Sequence, residues 1–144
     1  MALFDSMHIN ASGLSLERLK LDTVSTNIAN VNTTRTAEGG PYVKKEVIFE
    51  ESLKKAGSSL DGQLNTKSFG VKATEIRENK DDLVMEYNPT HPDANEEGFV
   101  QMPNVNMADE MIDMITAQRT YDANVTALNA SKEMLKKALE ISIG

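Results

Sequence analysis

The sequence has no cysteine and no tryptophan, and only 5% of its 144 residues are aromatic. The absence of cysteine excludes disulfide bonds, thiol catalysis and cysteine-ligated metal sites. No apolar run approaches the roughly 18 residues that a membrane-spanning helix requires. Basic residues are outnumbered, 15 to 22, so the formal net charge is −7. With no dense stripe of Lys and Arg, nucleic acid is a poor candidate partner.

Catalytic and cofactor-binding motifs are also absent. The sequence has no phosphate-binding glycine loop, no HExxH motif, no EF-hand loop and no serine–histidine–aspartate order with a supporting motif. We therefore predict that the protein is not an enzyme and that it uses no cofactor, metal or small-molecule substrate. Residues 1–10 lack the basic and continuous apolar regions of a cleaved signal peptide. We expect synthesis in the cytoplasm without such a signal.

What the sequence does contain is a helical apolar repeat at each end. The apolar positions recur in alternating steps of four and three residues, which is typical of a coiled-coil seam. Asn106 is expected to cap the second helix. A second, smaller-residue surface of that helix comprises Ala108, Ile112, Ile115, Ala123, Ala127 and Ala130. The seams, predicted as subunit interfaces, comprise Leu3, Met7, Leu14, Leu21, Val24 and Ile28 in the first helix, and Met107, Met111, Met114, Gln118, Tyr121, Val125, Leu128, Leu135 and Leu139 in the second.

Between the two repeats the helical period disappears. Alternating apolar residues predict strands over 42–49, 69–76 and 82–87, and a short extended piece over 99–102. The polar stretch 55–68 is predicted to be a flexible linker. The fold class is therefore α+β. Helices in segments 1–32 and 106–144 form a coiled-coil domain, and residues 33–105 form a small β-rich middle domain.

Two runs in the terminal helices resemble a known family. Residues 21–33, LDTVSTNIANVNT, and residues 110–124, EMIDMITAQRTYDAN, are similar to the N- and C-terminal signatures of the bacterial flagellar axial proteins, which form the rod and hook. The two signatures stand at the two ends of one chain, as they do in that family. The polar positions of the signatures are Ser25, Asn27, Asn30, Asn32, Arg119 and Asn124.

The resemblance implies a structural role in motility. It implies a subunit of the proximal rod of the flagellar basal body, which polymerises through its terminal helices into a tubular drive shaft. That shaft transmits torque and encloses the export channel. The implied partners are copies of the chain, other rod proteins, and the base of the rod at the inner-membrane ring and export gate. The implied location is the periplasmic rod, reached by type III export without a cleaved signal peptide.

Other interpretations remain open from the residues alone. The apolar repeats are compatible with an intramolecular helical hairpin, because antiparallel helix pairs are common. The asparagines at the end of the first helix either cap that helix or hydrogen-bond between subunits. In function, the alternative is a soluble coiled-coil adaptor or secretion chaperone that grips a partner helix. A polymer subunit would need both termini for self-association, whereas an adaptor would need only one helix to bind.

Overall fold

The computed structural model describes residues 2–58, 64–81 and 83–143, with side chains from 4–53, 68–81 and 83–141. Six elements follow one another along the chain. They are helix α1 (Ala2–Ala29), strands β1 (Lys45–Ser58), β2 (Leu64–Glu78), β3 (Val84–Tyr87) and β4 (Phe99–Met102), and helix α2 (Met107–Ile143). The predicted α+β class, with a long helix at each end and strands between them, is confirmed.

The two helices pack against each other in antiparallel orientation. Asn27, near the end of α1, donates a hydrogen bond to Glu110, near the start of α2. Fourteen residues earlier in α1, Gly13 faces Asn124 of α2, so closely that an added Cβ would lie 2.9 Å from the Asn124 amide nitrogen. The pairing within one chain is what the helical-hairpin interpretation expects. That the pair is supercoiled as a coiled coil stays a prediction.

Helix α2 begins where the sequence predicted. The Asn106 side-chain oxygen accepts a hydrogen bond from the Ala108 amide at 3.0 Å, which confirms the expected N-cap. The helix has 37 residues, so at 1.5 Å per residue it is about 55 Å long. Neither helix, over its described residues, is long and apolar enough to cross a membrane.

Strands β1 and β2 form a long antiparallel hairpin, from the pair Lys45–Glu78 to the pair Ser58–Leu64. The predicted linker over 55–68 therefore needs correction. Residues 55–58 and 64–68 belong to the strands, and 59–63 lie outside the described residues. The prediction failed because a two-stranded ribbon has few neighbours that bury either face. Its distal part therefore needs no alternation of apolar and polar residues.

Strands β3 and β4 form a second two-stranded antiparallel sheet. Both strands were predicted, and among the described residues the four strands of the middle region form two separate two-stranded sheets. Val100 of β4 is buried on one face. The other face carries Tyr87 and Phe99, which are paired across the sheet and stack edge to face with their ring centroids 5.3 Å apart.

The hairpin packs on the N-terminal half of α1 at one close point. Gly70 of β2 lies against Ile9 and Ser12, and its φ of +96° is in the left-handed region. The Val71 amide donates to the Ser12 hydroxyl at 3.1 Å. Lys20 of α1 places its ammonium 4.6 Å from the Phe49 ring centroid. These contacts fix the hairpin along α1.

Candidate functional site

The face of α2 that turns toward α1 carries two columns of residues seven positions apart. The larger column is partly buried and consists of Met114, Tyr121, Leu128 and Leu135. Each residue of the second column lies three positions after a residue of the first column or four positions before one. This column is polar or small; its buried members are Glu110, Ala117 and Ser131, and Asn124 is partly buried. Ala117 and Ser131 in this column are small, and Gly13 of α1 leaves room for the larger Asn124, so the two helices can approach closely.

The predicted α2 seam shares only the first of these columns. The other members of the predicted seam each follow a position of the second column by one residue. Of these, Val125 is partly buried, and Met111, Gln118 and Leu139 are exposed. Met107, which begins the first column, is also exposed. The contact with α1 therefore uses a different second column from that of the predicted seam. The predicted role of the seam as a surface for another subunit stays a prediction.

The predicted α1 seam is largely covered within the chain. Met7, Leu14, Leu21, Val24 and Ile28 are each partly buried. The side chain of Leu3 lies outside the described residues. Apolar burial in α1 is therefore incomplete, since among the described residues of this helix only Leu16 is a fully buried apolar side chain.

An apolar surface of α2 remains uncovered. Met111, Ile112 and Ile115 are 50%, 61% and 53% exposed, and Ala108 beside them is exposed. We call these four residues the outer face of α2. In the outer face, Met111 belongs to the predicted seam and the other three residues belong to the predicted small-residue surface. The remaining members of that surface, Ala123, Ala127 and Ala130, are also exposed. Contiguous exposed apolar residues are typical of protein–protein contact surfaces.

A buried polar cluster joins the helix pair to the hairpin. It comprises Asn27, Tyr42, Lys44 and Glu110, and Asn27 is its centre, with 1% of its surface exposed. The Asn27 amide nitrogen donates to the Glu110 carboxylate and to the Lys45 carbonyl, both at 2.9 Å. Its oxygen accepts from the Tyr42 hydroxyl at 2.8 Å and from the Lys45 amide at 3.0 Å. The Asn27 side chain thus uses its full hydrogen-bonding capacity.

Glu110 contributes a charge to this cluster. The side chain is 0% exposed, and one carboxylate oxygen lies 2.7 Å from the Lys44 ammonium. A buried carboxylate is tolerated only when it is paired and hydrogen-bonded. Asn104 supports Lys44 from outside: its oxygen accepts from the Lys44 amide at 2.9 Å, while its nitrogen donates to the Asn79 carbonyl at 2.7 Å. The cluster fixes the end of α1, the start of α2 and the start of β1 in one arrangement.

The cluster shifts two pKa values in the same direction. Burial raises the pKa of the Tyr42 hydroxyl, and the charges of Glu110 and Glu78 add to that effect. The hydrogen bond to Glu110 raises the pKa of the Lys44 ammonium, against a smaller opposing effect of burial. A group whose pKa is higher in the folded state contributes stability below its unfolded pKa and loses it as the pH rises.

We therefore expect the protein to be alkali-labile. The ordinary pKa values are 10.0 for Tyr42 and 10.5 for Lys44, so the free energy of unfolding should begin to fall as the pH rises past about 10. Urea unfolding at a series of pH values measures this slope. Tyr42→Phe should make the slope shallower, whereas Tyr87→Phe, at an exposed tyrosine, should leave it unchanged. Equal slopes in all three proteins would contradict the assignment.

The six signature positions have different environments. Asn27 lies in the cluster, and Asn124 faces Gly13 between the helices. Asn30 caps its own helix end, donating to the Thr26 carbonyl at 2.9 Å and accepting from the Thr33 hydroxyl at 3.1 Å. The remaining three, Ser25, Asn32 and Arg119, are exposed. Self-capping, one of the two interpretations of these asparagines, therefore holds for Asn30, while Asn27 makes tertiary contacts within the chain.

Sequence reasoning missed Tyr42, Lys44 and Glu110 as members of a site. Glu110 is the first residue of the second signature run, and that position was the available signal. A carboxylate in the first turn of a helix is, however, ordinarily explained by the helix dipole alone. The buried polar cluster holds α1, α2 and β1 in place, and none of its four side chains is an exposed reactive group. Among the described residues, no group of His, Asp and Glu side chains is placed to hold a metal ion.

Comparison with known proteins identifies the family. The family model described as "Flagella basal body rod protein" matches residues 7–35, and "Flagellar basal body rod FlgEFG protein C-terminal" matches residues 96–141. The chain belongs to the flagellar basal-body rod proteins, which confirms the resemblance of the two signature runs.

Within that family the chain is FlgC-like. The "Flagellar basal-body rod protein FlgC" of Bacillus subtilis is 43% identical over 148 residues, covering 98% of this chain and 99% of its own length. The protein of that name from Borreliella burgdorferi is 41% identical over 152 residues, covering 100% of both chains. The Salmonella typhimurium FlgC is 31% identical over 141 residues, covering 98% of both. The similarity thus includes the hairpin region as well as the two helices.

Proposed function

We propose that this protein is a structural subunit of the flagellar basal-body rod and that it polymerises with copies of itself and with other rod proteins through its terminal helices. The relatives are rod proteins by name. The observation that carries the proposal is the outer face of α2, because Met111, Ile112 and Ile115 stay exposed after the two helices have packed together. A helix that served only its own hairpin would be polar there.

The rest of the fold suits a mechanical role. A drive shaft must resist bending and twisting, and a paired helix of about 55 Å is a stiff element. The buried polar cluster prevents the hairpin from swinging freely about the helix pair. In the assembled rod the terminal helices would line the tube that encloses the export channel, and the two small sheets would lie outside. The base of the rod would meet the inner-membrane ring and export gate, and the subunit would arrive by type III export.

A coiled-coil adaptor or secretion chaperone is the alternative function. Its support is that α1 and α2 already pack together within one chain, as a folded adaptor monomer would require. The two functions differ in what the outer face contacts. In a rod subunit it packs against neighbouring subunits in a permanent assembly, whereas in an adaptor it binds one partner reversibly.

The test is the double variant Ile112→Asp with Ile115→Asp, expressed in the source bacterium in place of the native protein. Both residues are exposed, so the unfolding free energy should change little. Charge in a desolvated contact is strongly unfavourable, so incorporation into isolated basal bodies should fall at least tenfold and motility should be lost. Immunoblotting of the basal-body fraction measures incorporation.

The matched control is Ile76→Asp. Ile76 is 49% exposed and lies near the base of the hairpin, away from α2. It should leave incorporation close to the wild-type level. Normal incorporation of the α2 double variant would refute the outer face as an interface. Wild-type protein found with export substrates in the cytoplasm, and absent from basal bodies, would support the adaptor.

A further inference from the structure

The negative charge of the chain is concentrated in the segment that contains β3 and β4. Residues 79–102 contain six acidic residues and one basic residue, Lys80, so this segment carries −5 of the net −7. The other 120 residues together carry −2. The six acidic residues are Asp81, Asp82, Glu86, Asp93, Glu96 and Glu97.

The same segment presents an uncovered apolar sheet face. Met85, Tyr87 and Phe99 are 56%, 64% and 37% exposed. The register places Tyr87 opposite Phe99 and Met85 opposite Gln101, so these four residues share one face of the sheet. A groove of about 370 Å³ runs beside Met85, Phe99 and Gln101. Asp93 and Arg35 lie in its wall, 3.8 Å apart as an ion pair, so Glu96 and Glu97 are the uncompensated charges beside this face. We call the four residues of the sheet face, with Asp93 and the exposed turn residues Glu96 and Glu97, the acidic face.

The far part of the hairpin has the opposite charge. Beyond the pair Glu51–Val71 the sequence has three lysines and one acidic residue, Asp61. We call residues 52–58 and 64–70 the distal hairpin; its lysines are Lys54, Lys55 and Lys67.

The register of the hairpin also distinguishes its two ends. Near the base, charged pairs are of opposite sign: Lys45–Glu78, Glu46–Arg77 and Glu50–Lys72. In the distal hairpin Lys54 stands opposite Lys67. Like charges directly opposite each other destabilise an antiparallel pair. A pair of lysines in register therefore favours an anionic partner.

The acidic face and the distal hairpin lie near opposite ends of the subunit. Asn104, which follows β4, contacts Lys44 beside the cluster at the C-terminal end of α1. Gly70, at the start of the distal hairpin, lies against Ile9 near the N-terminal end of α1. The 18 residues of α1 between Ile9 and Asn27 span about 27 Å. The distal hairpin of a subunit therefore lies far from the acidic face of that subunit.

We propose that the acidic face of one copy receives the distal hairpin of a second copy, head to tail. The proposal rests on the proposed function, because it names one contact through which the subunits join. Opposite charges on opposite ends favour a heterologous contact, and such contacts generate open assemblies instead of closed dimers. Exposed Leu53 of the hairpin, 57% exposed, would supply apolar contact for Met85 and Phe99.

Disulfide crosslinking between two single-cysteine proteins tests this contact, since the native chain has no cysteine. Gln101→Cys is made in one copy and Lys55→Cys in the other, both are expressed together in the source bacterium, and isolated basal bodies are oxidised. A crosslinked dimer of the 15.8-kDa chain should form when both variants are present and not with either alone. A symmetric contact would crosslink one variant with itself and would overturn the proposal.

Exchanging the charges of the two surfaces tests whether their attraction forms the contact. Glu96→Lys with Glu97→Lys in the Gln101→Cys copy should lower the dimer yield about fivefold or more, because lysines would then face lysines. Adding Lys54→Glu with Lys67→Glu to the other copy should restore it to within about twofold. The control, Glu38→Lys with Glu75→Lys, makes the same change in net charge at exposed positions elsewhere and should leave the yield unchanged.

The failures are distinguishable. Protein present in basal bodies but without the dimer, or without rescue by the exchange, would overturn this inference and leave the proposed function intact. A crosslink to a different rod protein would overturn the assignment of the partner to a second copy. Absence of the wild-type chain from basal bodies would overturn the proposed function and this inference with it.

Discussion

Replacing Glu110 with alanine is expected to lower the free energy of unfolding by about 3 kcal/mol. Glu110 is fully buried, pairs with Lys44 at 2.7 Å and accepts from Asn27 at 2.9 Å. Its removal leaves Lys44 without its counter-charge and one Asn27 donor without an acceptor. Because the Lys44 side chain is 24% exposed, water can solvate it in part, which places the effect at the lower end of the range for broken buried pairs. Urea unfolding followed by circular dichroism measures the loss.

The control for this prediction is Asp122→Ala. Asp122 is an exposed carboxylate in the same helix, so removing it should leave the free energy of unfolding almost unchanged. If the two variants lost equal stability, the cluster would be no more important than a surface charge. Glu110→Gln keeps the shape and an acceptor for Asn27, so it should recover part of the loss and separate the hydrogen bond from the charge.

Such a variant should also loosen the hairpin. The cluster contains the least exposed ion pair among the described residues, and it joins the end of α1, the start of α2 and the start of β1. In Glu110→Ala the β1 amides near Lys45 should therefore exchange hydrogen faster relative to those at the centre of α2.

The terminal helices were predictable because their information is local. Apolar residues recur at helical spacing and Asn106 caps α2, and both signals lie within the elements they specify. The predicted α2 seam and the observed contact with α1 share one column, which includes Tyr121 and Leu128. That these residues contact another subunit stays a prediction. The second column of the contact, which includes Ala117 and Ser131, lies one residue away from Met111 and Val125 of the predicted seam. A small alanine and a polar serine give a weaker hydropathy signal than methionine and valine.

The buried polar cluster was not predictable in the same way. Asn27 and Glu110 are 83 residues apart in sequence, and their contact depends on the register of two antiparallel helices. That register is set partly by Gly13, which faces Asn124 across the helix pair. A periodic pattern of apolar residues does not indicate such a contact. Lys44 lies just before a strand, where a lysine is ordinarily a solvated surface residue. The resemblance to the flagellar proteins marked Asn27 but gave it no partner.

The distal hairpin illustrates a third kind of failure. Its polar residues predicted a linker, because strand prediction depends on one face being buried. A two-stranded hairpin needs no single apolar face along its whole length, so it does not have to give that signal. The sequence of the distal hairpin is instead distinguished by its positive charge. The proposed contact between copies depends on its lysines.

Gly70→Ala is expected to lower the free energy of unfolding by about 3 kcal/mol. Gly70 has a φ of +96°, where a residue with a Cβ is strained, and the added methyl would overlap the Ser12 hydroxyl and lie 3.2 Å from the Ile9 Cα. Ser12 holds the hairpin by accepting from the Val71 amide, so its displacement breaks that hydrogen bond as well. Urea unfolding measures the loss, and exchange of the Val71 amide shows whether the hairpin has separated from α1.

Gly39→Ala separates the two causes. Gly39 has a similar φ of +86°, but a Cβ there would meet no atom within 4 Å, so this variant carries the backbone strain without the collision and should lose only about 1 kcal/mol. Equal losses in the two variants would show that contact between the hairpin and α1 contributes nothing at this point. If the contact matters as argued, Gly70→Ala should also lower the yield of the crosslink between copies, because α1 would no longer hold the hairpin in a fixed position for the proposed contact.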